Sequence, residues 1–293
     1  MSPRMLFALL APIVASSALA ATTVRLPDWA CGIGDTVFGS GFEAAEQFPS
    51  SPSNGSGGAY PGNVTRTIAV PGIGNRTFYL HLPPGYAPGH ATPLLIALHG
   101  ETGSAGTAPA AAQRVRADWS ALADGHGFIV LAPVASGLHG GWQPDTDLPA
   151  LLAQLADTKS RYDIEQSRID LWGYSAGAHV AHAFALDNTD LFAAYGVSAG
   201  SLTQFACTDN GSIPRCSALL SGTQPKIPVD IHLGNQDPLY TMYGAGNDPS
   251  RFENGGWVAG QDLFYTLFNG GHIYTVAQLG EIWTNICPFA LGP

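Results

Sequence analysis

Three observations predict an α/β domain with a mostly parallel central sheet and helices on both faces. Strand-like and helix-like patterns alternate from residue 65 to the end of the chain. Leu94–Leu98 is an unbroken apolar run, as a strand buried on both faces requires. A third segment, residues 167–186, reads as a strand, then Gly-x-Ser-x-Gly, then a helix.

The elements follow in order. Thr67–Val70 and Thr77–Leu82 form a strand pair around a Pro71-Gly72 turn. After Leu94–Leu98, Ala117–Ala123 reads as a helix and Phe128–Ala132 as a strand. Leu148, Leu151, Leu152, Leu155 and Ala156 repeat at helical spacing and make one apolar face. Asp145 and Asp147 at its start are explained as helix caps rather than acids of a site. Then come the strand Ser167–Trp172 and the helix Ala178–Leu186, followed by strands near Ala193–Val197, Val229–Leu233 and Phe264–Phe268. The helix Ala277–Ile286 ends the pattern.

Upstream, residues 1–20 have the form of a secretory signal. Arg4 is the positive start, Met5–Val14 the apolar stretch, and Ala18-Leu19-Ala20 a small-residue cleavage site. Export implies a secreted protein, extracellular or periplasmic, with no membrane attachment once the signal is cut. Residues 21–64 form an N-terminal segment and a Ser/Pro/Gly-rich linker, for which poor order is expected over residues 49–62. Residues 65–293 are expected to be the catalytic domain.

Four cysteines suit an exported chain, and they allow three disulfide pairings. Cys207 and Cys216 bracket a short loop, so their pairing is the simplest, leaving Cys31 with Cys287. No Cys-x-x-Cys or Cys/His cluster indicates a metal, and no cofactor motif is present. A net charge of −10 with only 12% charged residues leaves no basic stripe for nucleic acid. The chain is expected to act as a monomer.

The chemistry centres on Gly173-Tyr174-Ser175-Ala176-Gly177. Strand, G-x-S-x-G and helix make a nucleophile elbow, in which the turn lifts the serine oxygen clear of the sheet. Gly196-Val197-Ser198-Ala199-Gly200 matches the same pattern, but no amphipathic helix follows, so Ser198 is read as a strand end. A serine needs a base and a group to orient it, and this fold places them in the order Ser, acid, His. Of nine histidines, only His232 and His272 follow Ser175 outside its own helix. His232 lies within a strand, whereas His272 follows Asn269-Gly270-Gly271 on a loop, so His272 is the base. His179 and His182, on the elbow helix, are read as packing residues.

The acid is expected on the loop after Val229–Leu233, where Gly234-Asn235-Gln236-Asp237-Pro238 supplies Asp237. The oxyanion hole requires two backbone N–H groups. Ala176 gives one, and the loop His99-Gly100-Glu101-Thr102 gives the other, at Glu101 in preference to Thr102. His99 is read as a structural residue. Thr102 and Trp142 are candidates for the substrate pocket, Trp142 equally readable as packing.

Together, Pro83-Pro84-Gly85-Tyr86, Pro93–Gly100, the elbow, Gly234-Asn235-Gln236-Asp237 and Gly271-His272 resemble the secreted polyhydroxybutyrate depolymerase and feruloyl esterase group of α/β-hydrolases. The chain departs from that group in two places. The H-G-x-x-D around the acid stands here as Leu233–Asp237, and Ala178 replaces a second glycine after the elbow. The resemblance implies a serine esterase working through an acyl-enzyme, on feruloyl or acetyl esters of plant polysaccharide or on a hydroxyalkanoate polyester. A serine peptidase and a non-catalytic binding protein on the same fold are the alternatives.

Overall fold

A computed structural model describes residues 22–26, 31, 50–207 and 213–292. The expected signal, residues 1–20, and most of the segment that follows lie outside the described residues.

Eight strands form one sheet: β2 Gly62–Val70, β3 Gly74–Leu82, β4 Thr92–Leu98, β5 Ile129–Pro133, β6 Ile164–Tyr174, β7 Ala194–Ser198, β8 Val229–Gly234 and β9 Leu263–Phe268. Their spatial order is β2-β3-β5-β4-β6-β7-β8-β9. The first two pairings are antiparallel and all others parallel. A separate two-stranded ribbon pairs β1 Thr23–Arg25 with β10 Phe289–Leu291, joining the two ends of the described chain.

The helices are α1 Ala108–His126, α2 Pro144–Arg161, α3 Ala176–Asp187, α4 Ile213–Gly222, α5 Pro238–Met242, α6 Asp248–Asn254 and α7 Val276–Ile286. Alternation along the central strands divides the core in two, because successive side chains leave a strand on opposite faces. In β4, Leu94, Ile96 and Leu98 meet Leu151 and Leu155 of α2 and Val180 and Phe184 of α3 in one cluster. Leu95 and Ala97 meet Trp119 of α1 and Ile282 and Trp283 of α7 in the other. Trp119 packs edge-on against Trp172 at 5.5 Å, and Phe128 stacks on Trp283 at 3.9 Å between centroids.

Two expectations need correction. Helix α1 starts nine residues before Ala117, because Ala108 and Ala112 bury small side chains that leave little periodic signal. The stretch expected to be poorly ordered is instead packed, from residue 50 onward, on the junction between the end of α2 and the start of β6. Ser53 Oγ donates to the Tyr162 carbonyl at 2.9 Å, and the Asn54 N–H donates to Asp163 at 2.8 Å. A Cβ on Gly58 would collide with the Tyr162 ring. Small residues here serve close approach rather than freedom.

Both disulfides join the pairs expected from loop length, Cys207–Cys216 and Cys31–Cys287. The second secures the N-terminal segment to the end of α7, where the His126 imidazole also contacts the Cys31 carbonyl at 2.9 Å.

Candidate active site

Strand β6 runs in the middle of the sheet and ends at Tyr174; α3 begins at Ala176. Ser175 between them has φ 53° and ψ −120°, a region L residues seldom occupy. The surroundings hold it there. The Ser175 N–H donates to the Ser198 carbonyl at 3.0 Å, so the turn is anchored to β7. A Cβ on Gly173 would collide with the Gly177 carbonyl, and one on Gly177 would lie 2.5 Å from the Leu98 carbonyl oxygen. Both glycines are required by this close packing of turn on strand.

Chain order brings the other two nominated residues to the same place. His272 lies on the loop after β9, and its Nε2 is 2.7 Å from Ser175 Oγ. Its Nδ1 is 2.8 Å from Asp237 Oδ2. A carboxylate only accepts, so Nδ1 carries the proton and Nε2 is left to accept from the serine. Asp237 has a fully buried side chain, and its second oxygen accepts from the Leu239 N–H at 2.8 Å, capping α5. Acid and base loops are tied together, with the Gln236 N–H donating to the Gly270 carbonyl at 2.8 Å. The Tyr174 hydroxyl donates to the His272 carbonyl at 2.8 Å, a support that the sequence pattern did not single out. Burial, reinforced by Asp237, raises the Tyr174 pKa and keeps that hydroxyl protonated.

Across from the elbow, the loop after β4 comes close. Gly100 is so near that a Cβ there would lie 3.2 Å from Ser175 Cβ. His99 pins this loop from beneath. Its Nε2 accepts from the Ala135 N–H at 3.2 Å, so Nδ1 bears the proton and donates to the Gly100 carbonyl at 2.7 Å. Burial lowers the His99 pKa and keeps the ring neutral. Ala176 is the first residue of α3, where N–H groups lack helical partners and the helix dipole favours negative charge.

The remaining nominated positions divide. Trp142 is buried and donates from Nε1 to the His99 carbonyl at 2.7 Å, so it braces the loop, while its edge also borders a cavity of about 590 Å³. Thr102 Oγ1 donates to the Ser104 carbonyl at 2.9 Å, and Thr102 borders a second cavity of about 650 Å³ with Tyr174 and Ile273. Asp147 accepts from the Gln143 N–H at 2.8 Å, the cap expected of it. Ser198 ends β7, buried, its Oγ accepting from Trp172 Nε1 at 3.2 Å. Among the described residues, no group of three His, Cys, Asp or Glu side chains could hold a metal ion, and no helix is long and apolar enough to cross a membrane.

No family model matches the chain. A poly(3-hydroxyalkanoate) depolymerase C from Paucimonas lemoignei is 34% identical over 139 residues, 43% of this chain and 32% of that protein. The chain thus aligns with about a third of the length of this curated relative. Among solved structures, a ferulic acid esterase superposes with a TM-score of 0.59 at 16% identity, covering 77% of this chain and 98% of the other. The chain has the α/β-hydrolase fold. Two further likenesses agree in fold. The feruloyl esterase module from Clostridium thermocellum has a TM-score of 0.56 at 13% identity, covering 85% of this chain and 95% of its own. An S-formylglutathione hydrolase from Agrobacterium tumefaciens has 0.54 at 18% identity, covering 80% and 98%.

Proposed function

We propose that the protein is a secreted serine esterase. Ser175 Oγ attacks an ester carbonyl while His272 Nε2 takes its proton, and Asp237 stabilises the imidazolium so formed. The negative oxygen of the tetrahedral intermediate is bound by the N–H groups of Ala176 and Glu101. His272 returns the proton to the departing alkoxide, leaving an acyl group on Ser175. Water, deprotonated by the same histidine, then releases the acid.

One observation carries this reading: the unbroken hydrogen-bonded line Ser175 Oγ, His272 Nε2, His272 Nδ1, Asp237 Oδ2, with spacings of 2.7 and 2.8 Å. The depolymerase and feruloyl esterase likenesses favour esters over amides, and two disulfides accord with export. The substrates proposed are feruloyl or acetyl esters of plant polysaccharide, or a hydroxyalkanoate polyester. Purified protein should hydrolyse short p-nitrophenyl esters, and Ser175→Ala should lower that rate about 10⁴-fold or more. Methyl ferulate, acetylated xylan and polyhydroxybutyrate assayed side by side identify the substrate. Activity on a peptide amide and on no ester would replace the esterase by a peptidase. A fully folded protein inert to all of them would make it a binding protein.

A further inference from the structure

The loop that carries His272 runs from Asn269, after β9, to Thr275, which caps α7. Its first part is fastened to the acid loop through Gly270, and at its centre the Tyr174 hydroxyl holds the His272 carbonyl. Two residues past His272, the Tyr274 ring turns inward. It meets Tyr174 and Trp172 edge-on, at centroid distances of 4.8 and 5.1 Å. Its hydroxyl donates to Asp118 Oδ2 at 2.6 Å, so this part of the loop is tied to α1.

The strength of that tie follows from its surroundings. Burial, reinforced by the bond to Asp118, raises the Tyr274 pKa, so the hydroxyl keeps its proton and donates. The Asp118 side chain is 19% exposed, whereas Arg114, 3.5 Å from the same oxygen, is 78% exposed and adds little. A hydrogen bond to a carboxylate at this length is about twice as strong as one between neutral groups. Its anchor is also rigid. Asp118 precedes Trp119, which is fully buried and packs against Trp172 at 5.5 Å.

Room to move gives this bond its importance. The cavity of about 650 Å³ is bordered by Ala111, Arg114 and Asp118 on α1 and by Ile273, Tyr274 and Val276 beyond His272. Ile273 and Val276 are exposed, so these side chains do not press the loop into place. Without the tie from Tyr274 to Asp118, the loop is free to relax toward that space. His272 Nε2 would then lose its 2.7 Å contact with Ser175 Oγ. A misplacement of about 1 Å can cost on the order of 10²-fold in rate.

We propose that Asp118 is a positioning residue: by accepting from the Tyr274 hydroxyl, it holds the His272 loop on α1 and keeps the imidazole in line with Ser175. The inference rests on the serine esterase reading above. Asp118 and Tyr274 act through the loop and not on the reacting atoms.

The test follows p-nitrophenyl acetate hydrolysis well below the unfolding temperature of each variant. Tyr274→Phe keeps the ring against Trp172 and Tyr174 but removes the hydroxyl, and Asp118→Ala removes the acceptor. Each should lower kcat roughly tenfold with KM little changed, because acylation and deacylation both need His272. The double variant should be no slower than either single one, since each breaks the same bond. Asp118→Asn, whose amide oxygen still accepts, should recover most of the loss. A merely structural role would lower the unfolding temperature and leave kcat alone. Unchanged kcat in Tyr274→Phe, losses that multiply in the double variant, or a rise in KM alone would each overturn the proposal while leaving the esterase standing. No hydrolysis of any ester by the unmutated protein would refute the esterase reading, and the proposal with it.

Discussion

The Cys31–Cys287 bridge closes a loop with a sequence separation of 256, whereas Cys207–Cys216 closes one of 9. If a disulfide acts mainly by restricting the unfolded chain, these loops differ greatly in worth. The chain-entropy relation gives about 5.5 kcal/mol for the long loop and about 2.6 kcal/mol for the short one at 25 °C, both upper bounds. The β1–β10 pairing ties the same two segments by backbone hydrogen bonds that do not depend on the bridge, so native contacts beside it are expected to be kept and the difference to lie in the unfolded state. Cys31→Ala with Cys287→Ala should therefore destabilise the protein by about 3 kcal/mol more than Cys207→Ala with Cys216→Ala. Urea unfolding followed by tryptophan fluorescence reads this as a gap of roughly 1 M between midpoints, at a slope near 3 kcal/mol per molar. Equal losses in the two variants, or a larger loss for the short loop, would refute the reasoning and place the stabilisation in local native packing.

Three other perturbations have defined outcomes. Asp237→Asn should fold normally and lose about 10³- to 10⁴-fold in kcat, because an amide no longer selects the His272 tautomer whose Nε2 accepts; steady-state kinetics on a p-nitrophenyl ester check it. Gly177→Ala should lower both the unfolding temperature and kcat, since its Cβ meets the Leu98 and His99 carbonyl oxygens at 2.5 and 2.6 Å and forces the elbow away from β4. Acid should weaken what two buried histidines contribute to the fold. Burial depresses His179 to about 4 and His182 to about 3, so between pH 6.5 and 3 the unfolded chain binds protons that the native state refuses. The contribution of these two rings is then full above pH 6.5 and falls as pH drops through that window, while buried Asp170 and Asp248, raised to about 8 and about 7, act in the opposite direction. In thermal unfolding across the same range, the stability of His182→Phe relative to the unmutated protein should therefore rise as pH falls.

How much of this was legible in the sequence depended on whether chemistry or packing chose the residues. The elbow and its partners were legible because serine, acid and histidine must occur in a given order on given loops. That order left His232 and His272, and a place on a loop rather than in a strand set His272 apart from His232, which the structure places inside β8 at 1% exposure beside Asp230. The parallel centre of the sheet was legible from apolar runs such as Leu94–Leu98. The ribbon of β1 and β10 was not, since strands of three residues carry no periodic signal. Residues 50–61 misled for a related reason. Serine and glycine there resemble a flexible linker, yet they are the residue types that let the chain lie against Tyr162. His179 and His182 were legible as packing residues from their place on the elbow helix, and the structure buries both.

The most direct test of the central claim is to trap the acyl group. Protein mixed with p-nitrophenyl acetate, quenched in acid during turnover, is digested and its peptides are weighed. The mechanism predicts one acetyl group, on the peptide containing Ser175, with none in Ser175→Ala. Acetylation at Ser198 instead, or sustained turnover by Ser175→Ala, would contradict it.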